Sequence, residues 1–249
     1  MHTSHAPIFH WKHPMTDLPD IARRIDHTLL NAEATLDHID HAVDQALEHN
    51  FAAVCVNPIY ISHVGARLRG TSVAACTVAG FPLGANLAAT KAAEAVAAAR
   101  SGAQEIDVVV HLPRLLEEDL LGIRGELMEL VYAVREVRPN IIVKAIVETA
   151  VLMADVSSDQ AESRIRTACQ GVREAGCDFI KTSTGLHKFG GATVEAVTLL
   201  RRHAQGLKVK AAGGVRSLED ARKMIAAGAD RLGSSSSVKL IQGQTSTGY

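Results

Sequence analysis

Lys181 in "FIKTSTG" follows two bulky apolar residues and precedes small polar ones, and Lys210 in "KVKAAGGV" precedes a small, glycine-rich run. A lysine placed this way ordinarily marks the exposed edge of a strand. Its other use is chemical. Burial disfavours an ammonium and a second ammonium nearby disfavours it further, so one of two crowded lysines should fall from about 10.4 toward about 7 to 8. A neutral amine attacks a carbonyl, giving a carbinolamine and then a protonated Schiff base that draws electrons and lets an adjacent C–H or C–C bond break. Those steps need a proton shuttle, and Asp107 in "EIDVVV" is the candidate.

A second chemistry lies in the glycine- and serine-rich runs "TSTG", "AAGGV" and "GSSSSVK". Their backbone N–H groups are little obstructed by side chains, and two of the runs lead straight into helical segments, which suits an anion such as a phosphate. Taken singly, these runs are ordinary turn chemistry.

Residues so far apart in the chain need a scaffold that brings them together. Short Val- and Ile-rich runs alternate with longer Ala-, Glu-, Arg- and Leu-rich segments at helical spacing, the pattern of strand–helix units in a parallel sheet. Eight candidate strands are legible, at 24–28, 52–56, 72–78, 105–110, 141–147, 179–182, 208–212 and 231–234. Eight units in one uninterrupted stretch predict a single-domain α/β fold, a closed (β/α)8 TIM barrel over 21–243, with a flexible leader at 1–20 and a flexible tail at 244–249. Gly102, Gly176 and Gly228, each just before a strand, read as helix stops, and Asn50 fits the same part. Counting five residues on from these four stops places Cys55, Asp107, Lys181 and Gly233 at one depth. Alternation along strands leaves Lys181 and Lys210 free to point inward near the C-terminal mouth, where barrel enzymes build their sites. Asp26, Thr28, Asn57, Thr77, Lys144, Glu148, Ser235 and Ser236 should gather there too.

Composition narrows the function classes. The 249 residues are 47% hydrophobic with a formal net charge of −1, which argues against nucleic-acid or membrane-surface partners. No apolar run is long enough to span a membrane and the start carries no secretion-type core, so a cytoplasmic address is expected. Cys55, Cys76, Cys169 and Cys177 have no metal-type spacing and are expected as free thiols. His2, His5, His10 and His13 read as part of a frayed leader ahead of a metal site.

"FIKTSTG", "KVKAAGGVRSLEDA", "EIDVVV", "VCVNP", "TVAGFPLGAN", "IDHTLL" and "GADRLGSSS" together resemble the deoxyribose-phosphate aldolase family over roughly residues 24 to 243. The resemblance implies a TIM-type barrel with no metal or organic cofactor that reversibly cleaves 2-deoxy-D-ribose 5-phosphate to glyceraldehyde 3-phosphate and acetaldehyde. It implies Lys181 as the Schiff-base lysine, Lys210 as its perturbing neighbour and Asp107 as acid/base partner. Gly185, Gly213, Gly214, Ser235 and Ser236 fall where the family grips phosphate, and Asp26 and Thr28 are expected at the acceptor's hydroxyl. Some members end in a tyrosine that enters the site during proton transfer, which makes Tyr249 a candidate relay beside the alternative of an unstructured stub. The implied partners are small sugar phosphates and aldehydes; self-association into a homo-oligomer stays open.

Departures from the family pattern fall at His111 and Pro113 after the Asp107 strand, at Leu186 where a lysine is usual, with Lys188 as a stand-in phosphate contact, and at Ser237 where glycine is common. They bear on phosphate affinity and acceptor range. Lys144 and Glu148 are expected as a buried supporting pair, and Cys55 as an inert thiol rather than a target for electrophiles. Two other functions fit the same residues: a Schiff-base barrel of transaldolase or dehydratase type, and a catalytically silent sugar-phosphate-binding protein.

Overall fold

The computed structural model describes residues 18–245. Eight strands follow in chain order: β1 Ile25–Leu29, β2 Ala53–Val56, β3 Ala74–Ala79, β4 Glu105–Val109, β5 Ile142–Ile146, β6 Phe179–Lys181, β7 Lys208–Ala212 and β8 Arg231–Ser234. Each lies parallel to the next and β8 pairs with β1, so the sheet closes and leaves no strand edge open. All eight stand where the apolar runs predict them.

Local chemistry sets where the intervening helices begin and end. The hydroxyls of Thr35, Ser157, Thr193 and Ser217 accept from the backbone N–H groups of His38, Gln160, Ala196 and Asp220, satisfying donors the first helical turn leaves open. At the other ends Asn50, Gly102, Gly176 and Gly228 take φ of 52°, 112°, 82° and 111°, as their positions before strands require.

Alternation then sorts the strand residues. Ile106, Val108, Val143, Ala145, Ile180, Val209 and Ala211 face the helices and join residues such as Leu127, Val131 and Leu200 in one continuous core. Their neighbours Glu105, Asp107, Lys144, Phe179, Lys181 and Lys210 face the lumen. On β2 and β3 the lumen is apolar: Ala53, Cys55, Cys76 and Val78 form a separate cluster joined by Leu30 and Phe81. Thr77, between Cys76 and Val78, therefore points outward, and its hydroxyl donates to Val56 O at 2.8 Å. The expectation that Thr77 joins the mouth is corrected by this one-residue alternation.

Candidate active site

Following the strand register round the closed sheet advances one residue per strand and stacks the inward side chains in layers of four from alternate strands. Ala53, Glu105, Phe179 and Arg231 form the lowest layer, and Asp26, Cys76, Lys144 and Lys210 the middle one. Cys55, Asp107, Lys181 and Gly233 form the next layer toward the mouth, the same four that the helix stops predict at one depth. Gly233 makes room for a neighbour, since a Cβ there would lie 2.9 Å from the Ala212 Cβ and 3.4 Å from Lys210 Cε.

The layers are tied by charge. Asp107 Oδ2 accepts from Lys181 Nζ at 2.7 Å and from Lys210 Nζ at 2.7 Å. Asp107 Oδ1 accepts from Lys144 Nζ at 2.9 Å and from the Cys76 thiol at 3.5 Å. Lys144 also pairs with Asp26 at 3.2 Å and Glu105 at 2.5 Å, while Lys210 pairs with Asp26. Arg231 closes the base of the network, 2.5 Å from Asp26 Oδ1 and 2.9 Å from Glu105 Oε1. The connected ion-pair network among the described residues thus joins four basic side chains, Lys144, Lys181, Lys210 and Arg231, to three acidic ones, Asp26, Glu105 and Asp107.

Solvent exclusion sets the cost of each charge and partners decide its sign. Burial raises Asp107, but Lys144, Lys181 and Lys210 outweigh it and hold the carboxyl well below the usual carboxylate range. Asp26 follows the same logic, with Lys144, Lys210 and Arg231 overcoming burial. For Lys210, burial pulls the ammonium down as the sequence suggests, yet Asp107 and Asp26 win and lift it above its ordinary value. Lys144 is lifted likewise by Asp107 and Asp26 against its burial. Lys210 is thus held as a cation.

Above this layer the mouth opens into a cavity of about 260 Å³, lined by Lys181, Thr28, Gly185, Gly213, Gly214, Ser235 and Ser236 among others. The expected phosphate residues thus share one space with the expected nucleophile. Of the lumen lysines, Lys181 alone reaches its wall, and it is 3% exposed. The backbone of the seat is tightly drawn: a Cβ on Gly191 would meet Gly213 O at 2.3 Å, and one on Gly213 would meet Gly185 Cα at 2.9 Å. Gly191, His187 and Arg216 also line the cavity and escape the sequence reading. Arg216 lies directly after "GGV", a position that could have drawn attention to it.

Other expectations need correction. Asp26 is fully buried beneath the cavity, its oxygens engaged by Lys144, Lys210 and Arg231, and does not line the wall beside Thr28. Lys144 pairs with Asp26, Glu105 and Asp107, whereas Glu148 binds the Thr184 N–H and accepts from Thr184 Oγ1 at 3.1 Å, so the two do not form a pair. Glu148 instead anchors the "TSTG" loop from a left-handed backbone position, φ 49°. Lys188 Nζ lies 5.2 Å over the Phe189 ring and not on the cavity wall. Asn57 donates to Asn31 O at 3.4 Å in an exposed contact. His111 N–H meets Glu126 Oε1 at 3.3 Å, an oxygen that also accepts from buried Lys91 at 2.6 Å. Tyr249 and His2, His5, His10 and His13 lie outside the described residues.

Cys55 is fully buried. A hydrogen bond with Cys76 lowers its thiol against the opposing effect of burial. The ligand atoms of Cys55, Cys76 and Asp107 lie within 4.8 Å of one another, as do those of Asp26, Cys76 and Glu105. Lys144 Nζ sits 3.3 Å from Cys76 Sγ and 2.9 Å from Asp107 Oδ1, placing an ammonium where a cation would need those donors. No helix among the described residues is long and apolar enough to cross a membrane.

Comparison with known proteins agrees with this geometry. Residues 21–243 match the model of the DeoC/LacD family aldolases. The deoxyribose-phosphate aldolase of Caldanaerobacter subterraneus subsp. tengcongensis is 46% identical over 226 residues, covering 90% of this chain and 94% of that one. The corresponding protein of Staphylococcus carnosus is 44% identical over 225 residues, covering 90% and 96%. The tetrameric structure of deoxyribose phosphate aldolase from Aeropyrum pernix superposes with a TM-score of 0.81 at 32% identity, covering 92% of each chain. The chain, a closed parallel barrel with a lysine–aspartate–lysine cluster at its mouth, belongs to the DeoC/LacD family of aldolases.

Proposed function

We propose that this chain is a class I deoxyribose-phosphate aldolase in which Lys181 forms the Schiff base, Asp107 and Lys210 move the proton, and the glycine- and serine-rich loops hold the phosphate. One observation carries the assignment of roles. A single oxygen, Asp107 Oδ2, joins Lys181 and Lys210 at 2.7 Å each, and of the lumen lysines only Lys181 opens onto the cavity.

The partner sets support this division of roles. Lys144 pairs with three carboxylates and Lys210 with two, while Lys181 pairs with Asp107 and opens onto the cavity, so it is the lysine a carbonyl substrate can reach.

In the cleavage direction the Lys181 amine adds to C1 of the open-chain sugar phosphate and water leaves, giving the iminium. The C3 hydroxyl gives up its proton to the Asp107–Lys210 relay. The C2–C3 bond breaks with its electron pair moving into the iminium, which becomes the enamine as glyceraldehyde 3-phosphate departs. The relay returns a proton to the enamine carbon, and water releases acetaldehyde and the free amine. Thr28 stands on the cavity wall where it can meet a sugar hydroxyl, and Asp26 holds Lys210 and Lys144 from below. Arg216 and His187 bring basic side chains to the seat formed by Gly185, Gly213, Gly214, Ser235 and Ser236. The partners on this reading are small sugar phosphates and aldehydes. Tyr249 remains a candidate relay from the tail; its deletion should slow proton exchange on bound donor without affecting imine capture.

The test is borohydride reduction in the presence of acetaldehyde, followed by peptide mass mapping and a cleavage assay with deoxyribose 5-phosphate. A label on Lys181 with acetaldehyde release is expected, and Lys181→Leu should lose both, with turnover falling on the order of 10³-fold or more. A label on another lysine would overturn the roles. Trapping without cleavage would indicate a different Schiff-base reaction, and absence of trapping a binding protein.

A further inference from the structure

Ser237, the residue standing where the family pattern commonly has glycine, makes a contact that the aldolase chemistry does not use. It is fully buried, and its Oγ lies 2.9 Å from Ser234 O and 3.0 Å from His27 Nδ1. His27 sits between Asp26 and Thr28 on β1, so alternation turns it to the outer side of the barrel. There its Nε2 lies 2.9 Å from Gln45 Oε1 on the helix Leu36–His49, and its ring centroid is 5.4 Å from that of Phe51. Gln45 Nε2 in turn lies 3.0 Å from His41 Nε2. Burial is the main cause that lowers His27 to about 4, so the ring is neutral at pH 7. With Nε2–H donated to Gln45 Oε1, Nδ1 is left as an acceptor, and the Ser237 hydroxyl proton is shared between that nitrogen and the Ser234 carbonyl.

The contact thus bolts the loop after β8 onto the outer face of β1. The loop end is next to the phosphate seat. Ser235 and Ser236 line the cavity, the Ser236 N–H donates to Ser234 Oγ at 3.2 Å, and Ser234 Oγ donates to Val215 O at 3.1 Å in the loop after β7. A glycine at 237 would lack the hydroxyl and add backbone freedom to a segment that must be ordered whenever the anion is held.

We propose that the His27–Ser237 contact is a specificity-determining brace: it holds the loop of residues 234 to 237 in its phosphate-receiving shape and so sharpens this chain's preference for phosphorylated over unphosphorylated sugars. His27 and Ser237 act through Ser235 and Ser236 and are positioning residues. The proposal rests on the reading that the loop seats the substrate's phosphate.

The experiment compares the full-length chain with Ser237→Ala, Ser237→Gly, His27→Leu and the double variant His27→Leu/Ser237→Ala. KM and kcat are measured for deoxyribose 5-phosphate and for unphosphorylated deoxyribose, with inorganic phosphate as competing anion. Ser237→Ala should raise KM for the phosphorylated sugar and the inhibition constant of phosphate about three- to tenfold, the weight of one lost neutral hydrogen bond. Values of kcat, and KM for the unphosphorylated sugar, should hold. Ser237→Gly should be weaker than Ser237→Ala, and the double variant should match the worse of its two single variants, because both remove one contact. Equal losses on both sugars, no change in either, or additive losses in the double variant would overturn the brace. Should His27→Leu fail to fold, the two Ser237 variants decide. Arg216→Ala separates the two readings. If it weakens phosphate binding while the Ser237 variants do not, the seat stands and the brace falls. If phosphate fails to inhibit and Arg216→Ala leaves both sugars unaffected, the seat fails and the brace with it.

Discussion

At the scale of single residues, the three lumen lysines have the same side chain and different surroundings. Lys144 is enclosed by Asp26, Glu105 and Asp107, Lys210 by Asp26 and Asp107, and Lys181 touches Asp107 alone while reaching the cavity. Roles follow from these partner sets more than from burial, which all three share. A direct check removes one partner without touching the cavity. Lys144→Met takes a shared ammonium from Asp26, Glu105 and Asp107, so the variant should be less stable by about 3–5 kcal/mol, since carboxylates are left with a partner missing in the interior. A denaturant melt equal to that of the parent chain would remove the argument from partner sets. Lys181, Lys210 and Asp107 were legible as a set because each is a charged residue inside or at the end of a predicted strand. Arg231 was not, because it merely heads the run 231–234, and only closure of the barrel turns its guanidinium onto Asp26 and Glu105.

At the scale of elements, the phosphate seat is a matter of backbone packing between three loops. Gly191 and Gly213 approach so closely that a methyl group on Gly191 would fall 2.3 Å from Gly213 O. Gly191→Ala should therefore push the two loops apart and raise KM for deoxyribose 5-phosphate about tenfold or more, while borohydride trapping of acetaldehyde on Lys181 stays near its normal rate. Loss of both properties together would mean that the loops support the barrel mouth as a whole. "TSTG" and "AAGGV" drew attention to their own glycines, but Gly191 sits in "KFGGAT", well past the end of β6. A glycine's need for space against a segment distant in the chain, as Gly191 has against Gly213, leaves no trace in its sequence neighbours.

At the scale of the whole molecule, an apolar shell outside the sheet supports a charged lumen inside it. Large aliphatic side chains such as Ile106, Val143 and Val209 each contribute about 1.5–3 kcal/mol by burial, which offsets the desolvation of the interior charges. The same compactness makes stability depend on pH through His27, which burial lowers to about 4 from the ordinary imidazole value of 6.5. Between those values the unfolded chain binds the extra proton, so stability rises with pH across the window and is lost as pH falls from about 6.5 to about 4, by roughly 3 kcal/mol. Denaturant melts across this range should show that slope in the parent chain and a flatter one in His27→Leu; equal slopes would assign the acid sensitivity to other groups.

The order of strands and helices was determined by the sequence alone, because hydrophobic period, cap residues and left-handed stops act over a few neighbouring positions. The same local counting placed Cys55, Asp107, Lys181 and Gly233 at one depth, since each strand starts a fixed number of residues after its helix stop. What the tertiary structure decided was how the layers stack: that Asp26, Lys144 and Lys210 share a level under Asp107, that Thr77 faces away, that Glu148 serves Thr184, and that Ser237 reaches His27. These outcomes depend on the one-residue stagger between neighbouring strands when the sheet closes. That stagger belongs to the closed sheet and to no single strand, so a reading taken strand by strand could reach the faces but not the partners.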